Sequence, residues 1–421
     1  MHFNYLSKRG ALCLMAAVSA GAVPAYSQQA LFNGLADGIP VPPGGNFAPS
    51  DKPIQWGPAR LAVGASYALQ YNDNVFNAPN NRQWDLINTL QLDLGVYLPL
   101  FSATDSSPLQ FSLGIGYSFY ARNTQLNRLI LAPRSSLAWT IPLDQVSLTF
   151  YDSMAYTANP LLEPGLSGTG TFSTFQNSVG ARATWTPDRY VLTLGASYQN
   201  YLSTVSQYDY INHHGPNFLA QAGYKITPET QAGLDVSVGV NQFTDPRRSN
   251  FNSYSFGPYL TWRVLETLTV KARTGYVLYD FARVLAGAPQ RSFDSYYVNF
   301  DAAHQLTEYI SHSLTFSREF SPGVASASSQ LAQNSAVTYS PRWRFTDFAT
   351  LFATGSYEFG NNAVVGVGST YNRWGAGLGV TFSLTDRLNT SLIYQWYSKT
   401  SPFGFQDYIV NTVTWSANYS F

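Results

Sequence analysis

Charge is scarce in this chain: Asp, Glu, Lys and Arg make up 11% of its 421 residues, against about a quarter in ordinary soluble domains. The charges also balance, 24 basic against 24 acidic, so the basic excess that nucleic-acid binding requires is missing. There is one cysteine, Cys13, which excludes a disulfide framework and a cysteine metal site. Beyond the N-terminal segment, no apolar run approaches the roughly 20 residues of a membrane helix. Aromatics, by contrast, are plentiful, with 29 Tyr, 27 Phe and 9 Trp. The mean hydropathy is nevertheless −0.12. Little charge, many aromatics and average polarity together fit strands that show one face to lipid and the other to water. A large soluble β-sandwich or propeller is the competing architecture, and the regularity of the alternation described below argues against it.

The first residues have the layout of a secretory signal. Lys8 and Arg9 are basic, Ala11 to Ala22 is apolar, and Ala25-Tyr26-Ser27 places small residues at the cleavage positions. Residues 1–27 are therefore expected to be removed, and Cys13 with them. Leu12 directly before Cys13 is too large for a lipoprotein site. Without Lys8 and Arg9 the 24 basic residues fall two short of the 24 acidic ones. Residues 28–58 form a Pro/Gly-rich lead, including Ile39-Pro40-Val41-Pro42-Pro43-Gly44-Gly45. It is expected to be a periplasmic tail, the alternative being a segment tucked into a pore.

From Ala59 onward a turn signal recurs about every forty residues: Thr104-Asp105, Leu143-Asp144, Pro187-Asp188, Pro228-Glu229, Leu265-Glu266, Thr307-Glu308, Thr346-Asp347 and Thr385-Asp386. Between marks lie two alternating stretches separated by a longer loop rich in Asn, Gly, Pro and Ser. In one such stretch Leu109, Phe111, Leu113, Ile115, Tyr117 and Phe119 interleave with Gln110, Ser112, Gly114, Gly116 and Ser118. A period of two held over ten or so residues is a strand of membrane-spanning length. The eight turns leave nine strand–loop–strand units. Residues 59–421 are thus expected to form an all-β fold, a transmembrane antiparallel β-barrel of about 18 strands. Its periplasmic turns are short, its outer loops longer, and its site the cell outer membrane. Asp152 falls on the apolar parity, which implies a bulge or a position near the rim. The nine tryptophans near strand ends fit interfacial girdles.

Parity also sorts the charges. The small-polar, lumen-facing set includes Arg134, Arg182, Lys225, Arg263, Lys271, Arg273, Arg342 and Arg344, with Asp93, Asp235, Asp301 and Glu319 against them. Several of the basic residues sit close to a short turn and would ring the periplasmic part of the bore, where low-dielectric walls focus their field on anions. The alternative is that they pair with neighbouring carboxylates and stiffen the wall. Barrels of this size leave an aqueous channel unless something fills it. The longest outer loop, Thr157 to Thr174, is expected at the surface by default, an inward fold being the alternative. In the final strand Val413, Trp415, Ala417, Tyr419 and Phe421 alternate with polar residues. Trp415, Tyr419 and Phe421 resemble the terminal aromatic signature by which outer-membrane barrels are recognised for assembly, which implies the assembly machinery as a partner alongside outer-membrane lipid.

No catalytic or cofactor motif emerges, so the sequence predicts neither an enzyme nor a cofactor or metal site. His213-His214 lies at the edge of an outer loop, where solvation is expected; as a metal hint the pair is weak, since adjacent strand residues point to opposite faces. His304 and His312 flank a short turn. At the first strand, Ala65-Ser66-Tyr67-Ala68-Leu69-Gln70-Tyr71 runs into Asn72-Asp73-Asn74-Val75-Phe76. This entry resembles that of a family of β-barrel porins associated with exopolysaccharide gene clusters. The resemblance implies an outer-membrane barrel over residues 59–421 that serves as a diffusion pore or passes a secreted polymer, with periplasmic polysaccharide-export proteins as partners. The leading expectation is a porin-like channel for polar or anionic solutes. The other is a plugged structural or adhesive barrel acting through its loops.

Overall fold

The computed structural model describes residues 54–100, 107–158, 161, 163–170, 172–283, 291–366 and 368–421, with 133, 134 and 363 as backbone only. A short β1 (Ile54–Trp56) is followed by β2 (Ala59–Asn72), β3 (Asp85–Pro99), β4 (Pro108–Tyr120), β5 (Arg128–Leu143) and β6 (Val146–Thr157). Next come β7 (Thr174–Trp185), β8 (Tyr190–Ser203), β9 (His213–Thr227), β10 (Thr230–Phe243), β11 (Phe251–Leu265) and β12 (Leu268–Phe281). The chain ends with β13 (Ser292–Gln305), β14 (Ile310–Pro322), β15 (Ser329–Thr346), β16 (Ala349–Gly366), β17 (Thr370–Ser383), β18 (Leu388–Thr400) and β19 (Tyr408–Ser420). Each strand from β2 onward pairs antiparallel with the next, and β19 pairs back onto β2 from Thr412↔Asn72 to Ser420↔Gly64. The ring is therefore a closed barrel of 18 strands. Closure satisfies each wall strand on both edges, as hydrocarbon demands.

Exposure follows parity. Ile115, Tyr117 and Phe119 are exposed while Gly114, Gly116 and Ser118 are buried, and Leu234 and Val236 are exposed around a buried Asp235. The exposed set is the lipid face, inverting the rule for soluble sheets. Hydroxyl pairs line the inner face, such as Thr89–Ser118 at 2.8 Å and Ser391–Ser416 at 2.7 Å. Small residues there make room for neighbouring rings: a Cβ on Gly360 would lie 2.0 Å from the Tyr371 ring. Most of the tryptophans, including Trp84, Trp185, Trp262, Trp343, Trp374 and Trp415, are exposed on the outer face. No helix among the described residues is long and apolar enough to cross a membrane.

One end of the barrel has short turns. Asp144 and Asp188 take positive φ there, +51° and +47°, the left-handed region that Asp tolerates better than most residues. Thr104-Asp105 lies outside the described residues, as do the expected signal over residues 1–27 and the lead up to residue 53. The end of the lead is paired: β1 turns back on β2, with Ile54↔Leu61 and Trp56↔Ala59. It takes up the edge of β2 just below the point where β19 stops.

Asp152 does face outward, between Leu137 and Val179 of its neighbours, and accepts a hydrogen bond from Asn177 Nδ2 at 2.5 Å. The bulge is next door rather than at Asp152. The ladders on both sides of β5 break between Leu131 and Ser135 or Ser136, where β5 carries two residues more than each neighbour, around Pro133, which cannot donate to a ladder.

The Asn72–Phe76 element closes the seam between the first and last wall strands. Asp73 accepts from Asn411 N and Nδ2, both at 2.7 Å. Asn74, fully buried, donates from Nδ2 to Ala78 O and Ile409 O and accepts from Ala78 N. Val75 and Phe76 pack against Ile87, Tyr120 and Leu126. Asn74→Ala should therefore lower folding stability by about 1–3 kcal/mol by orphaning these groups, seen as a lower urea midpoint for the heat-modifiable folded band. An unchanged midpoint would remove the seam role.

Candidate functional site

Two features shape the bore: basic side chains near the short turns and a loop across the mouth. Arg182 of β7, Lys225 of β9, Arg263 of β11, Lys271 of β12 and Arg342 of β15 all stand on the inward parity of their strands. Among the described residues none of these five has a carboxylate within ion-pair distance. Lys271 lies across from Asp301 in the ladder and is exposed to the bore.

Two of the basic residues behave differently. Arg273 is paired: its Nε donates to both oxygens of buried Asp235 at 3.1 Å, Nη2 adds a third bond, and Tyr297 Oη joins at 3.3 Å. Here pairing stiffens the wall and leaves little field for a solute. Arg344 turns to the rim, donating to Glu308 O at 3.3 Å and covering the Tyr309 ring. For Arg134 only the backbone is described. Of the acids, Asp93 accepts from Gln91 Nε2 at 2.7 Å. Asp93 stands on β3, nine strands around the ring from β12, so it lies across the bore from Lys271.

The β6–β7 loop, expected at the surface, instead crosses the mouth. Leu161 O accepts from Arg373 Nη1 of β17 at 2.5 Å. Lys399 Nζ of β18 donates to Ser167 Oγ at 2.8 Å and to Leu166 O at 3.4 Å, and Ser167 Oγ donates to Gln406 O at 2.7 Å. Nearer home, Gly168 N donates to Asn77 O at 3.0 Å, and Gly170 O accepts from Arg128 Nη1 at 3.2 Å. Gly168 has φ +69°, a bend that favours glycine. β17 and β18 lie on the far side of the ring from β6 and β7, so the loop spans the opening. An inward fold is favoured because it buries Leu166 and Phe172 with Tyr201, Tyr208, Tyr210, Ile211 and Val324, which a surface loop would leave in water.

Parity alone did not single out the residues that hold this loop. Arg373 is 2% exposed and paired with Glu358 at 2.6 Å, directly across the β16–β17 ladder. Lys399 is 1% exposed, with Nζ 5.0 Å and 5.6 Å from the ring centres of Tyr371 and Tyr408. The signal available was their inward parity; what they grip comes from a segment more than two hundred residues away.

Other outer loops knit into the same lid. Arg248 is buried and donates to Gly323 O at 2.8 Å, Gln330 O at 3.2 Å and Ser329 O. Desolvation pushes its guanidinium down to about 10, while Tyr210, which donates to Val324 O at 2.8 Å, is pushed up to about 12 by burial. His213 is buried rather than solvated, stacked 5.0 Å from Tyr201 and bonded through Nδ1 to Ile211 O at 2.7 Å. His214 points the other way, against Tyr198. His304 and His312 meet across β13–β14 at 3.0 Å. Among the described residues no group of three or more His, Cys, Asp or Glu side chains could hold a metal ion. On the outer face of the last strand Trp415, Tyr419 and Phe421 are exposed.

Glu358→Ala leaves Arg373 charged and buried without its partner, a change of about 3–5 kcal/mol for pairs of this kind. Faster protease cleavage within residues 158–173 on intact vesicles is the expected result. Cleavage at the wild-type rate would show that the pair does not hold the loop.

No protein-family model matches the chain, and no curated protein matches it in sequence. Solved structures do resemble it in shape. Acinetobacter baumannii OccAB3 is 8% identical with a TM-score of 0.50, the match covering 86% of this chain and 99% of that one. Pseudomonas aeruginosa OpdK (12% identity, TM-score 0.47, 86% and 98% covered) and the Acinetobacter baumannii outer membrane channel DcaP (11%, 0.47, 86% and 97%) are also similar. At these identities the likeness is one of fold, a closed antiparallel barrel matched over most of its length.

Proposed function

We propose that the protein is an outer-membrane channel for small polar or anionic solutes, narrowed at its outer mouth by the β6–β7 loop. The observation that carries this is the row of Arg182, Lys225, Arg263, Lys271 and Arg342 on inward-facing positions with no carboxylate at ion-pair distance among the described residues. A wall built only for rigidity would pair such charges, as it pairs Arg273 with Asp235. Unpaired positive charge on its wall biases a bore toward anions. The loop then sets the size limit, while Arg373 and Lys399 fix its position.

A plugged barrel is the second reading, favoured by the number of bonds the loop makes with the far wall. The polysaccharide route implied by the first-strand resemblance belongs with a third state. An extended polymer would need the loop to leave the mouth, with periplasmic export proteins supplying the chain. In either case the terminal Trp415, Tyr419 and Phe421 would serve the assembly machinery, and the exposed outer face would meet outer-membrane lipid.

Planar-bilayer recording of the refolded barrel tests the proposal. A small, anion-selective conductance is expected, with the reversal potential in a salt gradient moving toward cations in a Lys271→Glu, Arg342→Glu double variant. Unchanged selectivity would remove the basic wall from the argument. Removing the loop anchors with Arg373→Ala and Lys399→Ala should raise the unitary conductance severalfold. A silent barrel that stays silent in that variant would favour the plugged structural reading.

A further inference from the structure

The β13–β14 seam stops short of its neighbours, as does β19–β2, where the Asn72–Phe76 element takes over beyond Thr412↔Asn72 while β18–β19 runs on to Lys399↔Tyr408. The β13–β14 ladder ends at Val298↔Arg318. On either side the neighbouring ladders continue outward, β12–β13 to Asp280↔Ser292 and β14–β15 to Pro322↔Leu331. Ser292–Tyr297 thus forms an edge with no ladder partner across this seam among the described residues. Arg318 is eight residues along β14 from Ile310, which at ~3.3 Å per residue and a tilt of ~40° places it roughly 20 Å above the periplasmic end. That is near the outer edge of an apolar band about 25 Å tall. Tyr276 and Tyr296, both exposed on the outer face, mark the same level.

Arg318 fills the slot. Its Nη1 donates to Tyr296 O, a carbonyl on the open edge, and to Ser295 Oγ at 3.2 Å. Nη2 donates to Gln333 Oε1 at 3.2 Å, and the guanidinium lies 3.8 Å from the Tyr296 ring centre and 5.0 Å from that of Phe320. Behind it the inner side of the wall is apolar rather than polar. Phe320 packs 5.5 Å from Phe293 and 6.1 Å from Tyr279, and the cluster runs on through Phe251, Phe281 and Leu331. Lower on β12 the inner face is polar, with Lys271 and Arg273. An apolar cluster on the inner side of the wall, directly beside an unpaired strand edge, suits an acyl chain better than a polar solute.

We propose that the β13–β14 slot is a lateral port at the outer interface, closed by Arg318, through which a single-chain amphiphile with an anionic head passes between the outer leaflet and the bore. The acyl body would follow the Phe320–Phe293–Tyr279 cluster. The head would exchange bonds with Arg318, which opens the seam by releasing Tyr296 O. The port is independent of the axial route, whose mouth the β6–β7 loop covers.

The test uses the full refolded barrel in vesicles containing lauric acid that carries a diazirine, with photo-adducts mapped by mass spectrometry. Adducts are expected on the inner cluster, at Tyr279 or Phe293. They should rise severalfold in Arg318→Ala and be lost when Ser295→Cys and Ser321→Cys are bridged by a bis-maleimide. Adducts confined to outer-face residues such as Tyr276 and Tyr296, with the seam bridged or free, would overturn the proposal. Inner-cluster adducts that survive the bridge would also overturn it, since they would show entry by the mouth. Heat-modifiable mobility confirms folding for each variant, and the bridged wild-type barrel gives the same reading should Arg318→Ala not fold.

Discussion

A peptide N–H or C=O facing hydrocarbon has no water to bond, and each wall strand here is arranged around that constraint. It accounts for the closure of β19 onto β2 and for the long alternating strands. It also accounts for the side-chain bonds at the one place where chain ends meet: Asp73 and Asn74 take over where the backbone ladder finishes. The same constraint makes the β13–β14 seam conspicuous, because an edge carbonyl there is satisfied by a guanidinium rather than by a neighbouring strand.

The outer end obeys different rules. Above the membrane the loops are free to meet water, yet they bury Tyr201, Tyr208, Tyr210 and Phe172 around the crossing loop. Apolar burial supplies the favourable free energy. Buried cations give the arrangement its position, since Arg373, Lys399 and Arg248 each bond carbonyl oxygens of another loop. Arg373 alone of the three has a carboxylate at ion-pair distance among the described residues. The lid is therefore held by directional bonds to backbone, which tolerate little change in loop length or path.

The barrel was legible because its pattern is local: a period of two, a turn about every forty residues and Asp or Glu at the turns all lie within single hairpins. Parity likewise placed Arg182, Lys271 and Arg342 on the inner face. What parity could not convey is contact between distant strands. Arg273 looks like its neighbours in sequence, yet Asp235 lies two strands away and neutralises it. The β6–β7 loop has the composition of a surface loop. Its inward course depends on Tyr210, Val324 and Lys399, contributed by three separate parts of the chain. His213 was misjudged for the same reason, since its burial comes from Tyr201 and Phe243 on adjacent strands. Asp152 on the lipid parity implies a bulge or a rim position without locating it, and the irregularity lies on β5 beside it.

The short β1 arm bears on the order in which the wall is completed. β2 is the first wall strand in the chain and its partner β19 is the last; Gln70 and Thr414, which bond across the join, are separated by 344 positions. Bringing such distant segments together is the entropically slowest step of a ring. Until it happens, one edge of β2 is a template for any passing strand. β1 folds back on that edge over Ala59–Leu61 using only residues that precede it, so part of the exposed template is occupied from the outset. The arm then remains in place as a stop, leaving β19 a vacancy that begins at Gly64 and admits one register.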